Sequence, residues 1–189
     1  MSATAAWDVA AATVAALLFQ AGALRALGRP FLCPHDKFRL WEGDVASPCI
    51  SQQFADWYSL THVIHGVLFS CLISLAAPGL SVWRRFLIAL ALEAGWEILE
   101  NTPFAIRRYR KQAPSEDYGG DSIVNSLVDT LAMAFGFLLA WRLPVPAVVA
   151  MAVVLEVVVT LRIRDNFTLN VLNFIYPFAF IRRWQKNAS

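Results

Sequence analysis

A chain of 189 residues that is 58% hydrophobic and only 16% charged, with a mean hydropathy of +0.51, is too apolar for a soluble domain of its size. The formal net charge of +2 decides little, because in a membrane protein the placement of Lys and Arg is what informs. The length leaves room for one bundle of about five spans at roughly 20 residues each and for no second folded domain, so the expectation is an all-α integral membrane bundle, a single multi-pass domain over residues 1–189 in a lipid bilayer.

The first apolar run, 5–24, is stopped by Arg25, Gly28, Arg29 and Pro30. Asp8 stands near the start of the run and the arginines follow it, the reverse of a signal peptide, so it reads as an uncleaved span. Residues 28–56 hold four acidic residues, three basic residues and three prolines; they read as an extramembrane loop lying on the surface through Phe31, Phe38, Leu40 and Trp41. The second span is expected at 57–77, with Trp57 and Tyr58 at the interface and Pro78-Gly79 closing it. The third covers 83–101 and is ended by Pro103. A basic loop, 103–120, carries Arg107, Arg108, Arg110 and Lys111, then Asp117 and the flexible Tyr118-Gly119-Gly120. The fourth and fifth spans fall at 121–141 and 145–161, joined by the tight Leu143-Pro144-Val145-Pro146 turn. The segment 167–181 is too short to span and is broken by Pro177, which fits an interfacial C-terminal helix.

Charge placement orients this arrangement. Five spans put the loop after the first span, the loop after the third and the tail on one side, which receives 13 of the 16 Lys/Arg; only Arg84, Arg85 and Arg142 fall on the other. The positive-inside rule then makes the first side cytoplasmic and the amino terminus periplasmic. Cys33 and Cys49, in the first loop, are expected as reduced thiols on that assignment. With Cys71 they match no zinc spacing.

Polar residues inside the apolar runs mark the candidate site. Glu93, Glu97 and Glu100 stand at i, i+4 and i+7, and Asp121, Asn125 and Asp129 at i, i+4 and i+8, so each set lines one helical face. An ionisable group in hydrocarbon costs at least about 2.5 to 3.5 kcal/mol, so these stripes turn inward toward partners or a wet cavity. His62 and His65 stand at i, i+3 on the second span. With facing carboxylates they fit a metal site, and equally interhelical hydrogen bonds. A carboxylate held in such a place is open to a proton relay or general acid/base role, and equally to a purely structural network. Arg107, Arg108 and Arg110 suit anionic lipid headgroups, since guanidinium holds phosphate bidentately, or serve only as topology determinants. Tyr118 and Asn125 join them as binding candidates, and Arg164 and Asp165 are placed to complete an ion-pair ring around the loop. Serine-protease, phosphatase and lipid-head-transferase signatures are absent, as are nucleic-acid modules and phosphate or dinucleotide glycine loops. The cofactor is left open.

Through Asp56-Trp57-Tyr58, His62-Val63-Ile64-His65-Gly66, Glu93, Trp96-Glu97-Ile98, Glu100-Asn101, Arg108-Tyr109-Arg110, Asp117-Tyr118-Gly119-Gly120-Asp121-Ser122, Asn125-Ser126, Arg164-Asp165-Asn166 and Leu169-Asn170, the chain resembles an uncharacterised family of small multi-pass inner-membrane proteins of alphaproteobacteria. More distantly it looks like the VanZ-like membrane proteins, whose founding member is linked to glycopeptide resistance. Glu97 or Glu100, Arg107 or Arg108, Asp121, Asn125 and Gly136 would occupy the corresponding places. The resemblance implies an envelope setting in the inner membrane and an inward-facing set of residues, but no substrate. The reading is an envelope protein that binds or acts on a phosphate-bearing lipid or lipid-linked compound through its His/Glu/Asp cluster and Arg loop. A non-catalytic module with a structural polar network stands as the alternative, and proton-coupled transport as the third.

Overall fold

The computed structural model describes residues 3–111 and 118–186, and side chains from Ala6 onward; Asp117 lies outside the described residues. Among them are eight helices and no strand beyond a single isolated bridge between Glu42 and Asp56. The helices are α1 (Ala3–Ala26), α2 (Ser59–Ala76), α3 (Val82–Glu100), α4 (Pro103–Tyr109), α5 (Ile123–Arg142), α6 (Val145–Ile163), α7 (Phe167–Ile175) and α8 (Ala179–Lys186). Four of them, α1, α2, α5 and α6, are long and apolar enough to cross a membrane. Of similar length is α3, which carries Arg84, Arg85, Glu93, Glu97 and Glu100 and packs against α1, α2 and α5.

The helix starts follow from local chemistry. Side-chain oxygens of Ser81, Thr102, Ser122 and Asn166 accept from the backbone N–H of Arg84, Ala105, Asn125 and Leu169, each relieving an orphan donor of a first turn. Pro103, at the first position of α4, needs no donor there. That short helix occupies part of the segment expected to be loop. The tail helix expected over 167–181 is two helices, because the chain breaks at Tyr176 ahead of Pro177.

The tightest packing is between α2 and α5. A β-carbon on Gly66 would stand 2.0 Å from the Met133 carbonyl oxygen, and one on Gly136 2.0 Å from that of Val63. Two glycines facing each other let the backbones touch, the small-residue device of helix contacts in lipid. Toward the C-terminal end of α2 this contact is dry: Ile73, Phe86, Ala89, Leu90, Met133, Ala134 and Phe137 form the apolar core. Toward its N-terminal end the interior is polar.

A folded cap covers the polar end. Segment 28–57 is pinned by its buried acids: Glu42 accepts from Asp44 N (3.1 Å), Ser47 Oγ (3.0 Å) and Arg39 (3.4 Å). Asp56 accepts from Ser51 N (2.9 Å) and Tyr58 N (2.7 Å). Carbonyls of Ser51, Pro30 and Phe31 accept from the N–H groups of Ser122, Ile123 and Val124, so the cap seals the start of α5. Within it Cys33 and Cys49 form a disulfide. This corrects the expectation of two reduced thiols, which rested on the charge count alone. Phe31, Phe38, Leu40 and Trp41 lie on the cap's exposed surface.

Candidate functional site

The acidic and histidine stripes converge because their helices cross at the polar end. His62 Nδ1 meets Glu93 Oε1 at 2.5 Å, and His65 Nδ1 meets Glu93 Oε2 at 3.0 Å and Oε1 at 3.1 Å. The three-residue spacing on α2 puts both rings on one face with centroids 4.6 Å apart, and a single carboxylate answers both. Glu97 lies one turn along: its Oε2 accepts from Ser126 Oγ at 2.6 Å, and its Oε1 stands 3.3 Å from His62 Nδ1. On the other side of the same imidazole, Nε2 is 3.9 Å from Asp129 Oδ2. Asn125, with its amide turned to satisfy both neighbours, donates to Asp129 Oδ2 at 3.2 Å and to the Ser51 carbonyl at 3.0 Å.

Glu100 and Asp121 form the outer part of the cluster. Tyr109 donates to Glu100 Oε2 at 3.2 Å. Tyr118 donates to Asp121 Oδ1 at 2.8 Å, and Asn101 donates to its Oδ2 at 2.7 Å. Asp121 precedes the N-cap Ser122, so it enters from the loop rather than from the helical stripe assigned to it with Asn125 and Asp129. Glu93, Glu97, Glu100, Asp121 and Asp129 are all buried, and no Lys or Arg pairs with any of them among the described residues.

A cavity of about 260 Å³ opens beside this cluster. Its polar wall includes Tyr58, His62, His65, Glu100, Tyr109, Tyr118, Asp121, Asp129 and Asn170; its apolar wall includes Ile50, Trp96, Phe167 and Val171. Cap, α2, α3, α4, α5 and α7 each contribute a side, which places it where the bundle meets the folded loops.

The arginines go elsewhere. Arg108 donates through Nε to the Phe174 carbonyl at 2.5 Å and also bonds that of Ile175; Arg110 donates to the Tyr118 carbonyl at 2.7 Å. Arg107 is exposed, and none of the three lines the cavity. Arg164, in a left-handed C-cap (φ 51°), donates to the Trp184 carbonyl at 3.0 Å. Asp165 is buried against Asn166 N (3.0 Å), Tyr58 Oη (3.3 Å) and Gln185 Nε2 (3.3 Å). The ion-pair ring expected around the loop is therefore not formed among the described residues; Arg164 and Asp165 instead pin α8 to the end of α6. Burial pushes the Asp165 carboxyl up to about 7. It pushes Asp56 up to about 6 against the opposing pull of the Tyr58 and Ser51 N–H donors.

One residue of the network escaped sequence reasoning. Gln20 of α1 is wholly buried, donates to Ser126 Oγ (2.8 Å) and Ser126 O (3.0 Å), and accepts from Thr130 Oγ1 at 2.9 Å. It ties α1 to Glu97 through Ser126. The available signal was a lone amide in an otherwise apolar span, which needs a partner.

Comparison with known proteins identifies a family for the chain. The model of the family described as "Protein of unknown function (DUF2585)" matches residues 24–187, which includes every residue of the cluster except Gln20. A UPF0314 protein of Rhizobium meliloti (strain 1021) is 50% identical over 159 residues, 84% of this chain and 81% of that protein. A UPF0314 protein of Brucella anthropi is 44% identical over 180 residues, 95% of this chain and 91% of its own. One of Sphingopyxis alaskensis is 44% identical over 179 residues, 95% and 94%. No solved structure matches. The chain thus belongs to the DUF2585 family, alongside the UPF0314 proteins of these bacteria.

Proposed function

We propose that this protein is a five-span inner-membrane protein of the bacterial envelope, in which the chamber between cap and bundle receives the polar head of a lipid-linked, phosphate-bearing compound and the His/Glu/Asp cluster binds or acts on it. The observation that carries this reading is the chamber itself: one polar wall with two histidines and three carboxylates, one apolar wall with Trp96, Phe167 and Val171, at the end of apolar helices. Ligand sites run from about 300 to 1,000 Å³, so a cavity of about 260 Å³ suits a head group whose acyl or prenyl part stays in the bilayer. The Arg loop supports the chamber by holding α7 and the Tyr118 loop in place rather than by facing the ligand.

The cap's disulfide supports an orientation opposite to that of the charge count. Disulfides persist in oxidising compartments, which puts the cap, and with it the mouth of the chamber, on the periplasmic side and the amino terminus in the cytoplasm. Arg29 and Arg110 donate to loop carbonyls and Arg108 and Arg164 to carbonyls of α7 and α8, so their position follows from folding and not from the insertion bias that the positive-inside rule counts. A reporter fused after Arg110 reads periplasmic on this account; a cytoplasmic reading, with free thiols at Cys33 and Cys49 in intact cells, would reverse it.

The function is tested by native mass spectrometry of the protein released from nanodiscs. Wild type retains one phosphate-bearing amphiphile per chain, and Val171→Trp, which fills the chamber from α7 without touching the buried network, loses it. Wild type without amphiphile, together with full complementation of a deletion strain by Val171→Trp, would overturn the chamber as the site of such a compound.

A further inference from the structure

As neutral rings, the two histidines do not satisfy their carboxylate neighbours by themselves. Both imidazoles turn the same atom, Nδ1, toward Glu93. A neutral ring carries one proton. Spent on Glu93, it leaves His62 Nε2 a bare lone pair facing the Asp129 carboxylate, 3.9 Å away. Meanwhile Glu97 Oε1 stands 3.3 Å from His62 Nδ1, is wholly buried and has no hydrogen-bond partner; Asp129 Oδ1 is likewise buried and without one. Five buried carboxylates share this region with no Lys or Arg pairing with them among the described residues, so the cluster is short of positive charge and holds one unpartnered buried acceptor, Glu97 Oε1, on the Nδ1 side of the His62 ring where Glu93 and His65 also meet.

We propose that His62, His65 and Glu93 hold one divalent transition-metal ion of the zinc class, with Glu97 Oε1 beside it and the remaining position open to the chamber. This rests on reading the polar end as a functional chamber. One ligand atom from each of the three residues lies within 4.8 Å of the others, close enough for a common ion after small side-chain adjustment. Two imidazoles and a carboxylate with an open position is the donor set of catalytic zinc, and also suits iron or manganese. A metal on Nδ1 leaves the proton on Nε2. His62 Nε2–H then points at Asp129, giving the carboxylate–histidine–metal arrangement that orients such ligands, and Asn125 holds that carboxylate in turn. The ion supplies the missing positive charge and, when bound, a Lewis acid that a phosphate head could reach. This is how an acidic chamber takes an anionic group.

The test is equilibrium dialysis of chelator-treated, detergent-purified full-length protein against Zn²⁺ and Co²⁺, with the visible spectrum of Co²⁺ as a report of histidine ligation. Wild type binds one equivalent; His65→Gln and Glu93→Gln fall below about a tenth of it. Asp129→Asn weakens binding roughly 10- to 100-fold, as expected for a group behind a ligand, and Asp36→Asn, an exposed cap carboxylate that does not line the chamber, changes nothing. Thermal melts in parallel show that each variant is folded. Folded wild type that takes up no ion overturns the proposal, as does uptake that His65→Gln and Glu93→Gln leave unchanged, which is an adventitious surface ion. The chamber and the ion fail separately: loss of amphiphile in Val171→Trp without any metal uptake by wild type removes the ion and keeps the chamber, whereas stoichiometric metal without amphiphile keeps the ion.

Discussion

Within one turn of α3 the interior of the bundle changes character. Leu90 belongs to the apolar core with Phe86, Met133 and Phe137; Glu93, three residues on, meets two histidines. Both halves are made by the same helices, α2, α3 and α5, with the backbones of α2 and α5 brought together at Gly66 and Gly136. In the dry half large apolar side chains meet one another, and no carboxylate or histidine lies among them. The polar half holds buried acceptors that lack partners, Glu97 Oε1 and Asp129 Oδ1, and such groups destabilise unless something else binds them. The proposed function accounts for this difference by giving the polar half a ligand to hold, whereas the first half needs only to pack.

Breaking the shared frame should have the largest effect. Gly136→Leu drives a side chain into the Val63 carbonyl and separates both halves at once, beyond the usual 1 to 3 kcal/mol or so of overpacking; folded protein recovered in detergent should fall more than about tenfold. Gly22, with open space around it, should accept Ala without loss. Next comes the dry half: Phe137→Ala removes a fully buried ring and should cost about 3 to 5 kcal/mol, read as a lowered melting temperature, with complementation falling only in step with abundance. Removal of the cap's staple by Cys33→Ser with Cys49→Ser should cost about 2 to 4 kcal/mol and loosen the chamber mouth, seen as faster proteolysis of segment 28–57 with the helices still protected.

The narrowest effect, confined to one carboxyl, is on pH. Asp165 has its carboxyl pushed up to about 7 by burial, above the 3.8 of an ordinary aspartate. The native state therefore binds more protons than the unfolded chain between those values, and its stability falls as pH rises from about 4 to about 7, then levels off. Asp165→Asn should flatten that slope, because an amide can keep the bonds to Asn166 N, Tyr58 and Gln185 without an ionised form. Thermal melts from pH 5 to 8 in detergent check this, and a slope unchanged in the variant would assign the titration to another group.

Much of the site was legible because spacing alone carries it. Glu93, Glu97 and Glu100 repeat at helical intervals in an apolar run, His62 and His65 do so on another, and a buried charge must find company. What pairwise spacing could not reveal was which residues each stripe meets. Gln20 bonds Ser126 across 106 positions, and Arg108 of the basic loop serves a carbonyl 66 residues away on α7 rather than a ligand. The cap was hidden for a related reason. Its order comes from two acids, Glu42 and Asp56, that bind their own neighbouring N–H groups, and composition reads such residues simply as loop. The disulfide was legible as a pairing of cysteines, but the charge count argued against it, since a count of arginines cannot tell a solvated cation from one folded onto a carbonyl.

The central claim is that the polar half is kept for function and not for packing, and Glu97→Gln tests it most directly. The amide preserves volume and the bond from Ser126 Oγ while removing the carboxylate. The account predicts normal abundance, a melting temperature equal to or above that of wild type, and failure to complement the envelope phenotype of a deletion strain. Full complementation at normal abundance would contradict it and reduce the polar half to a structural network.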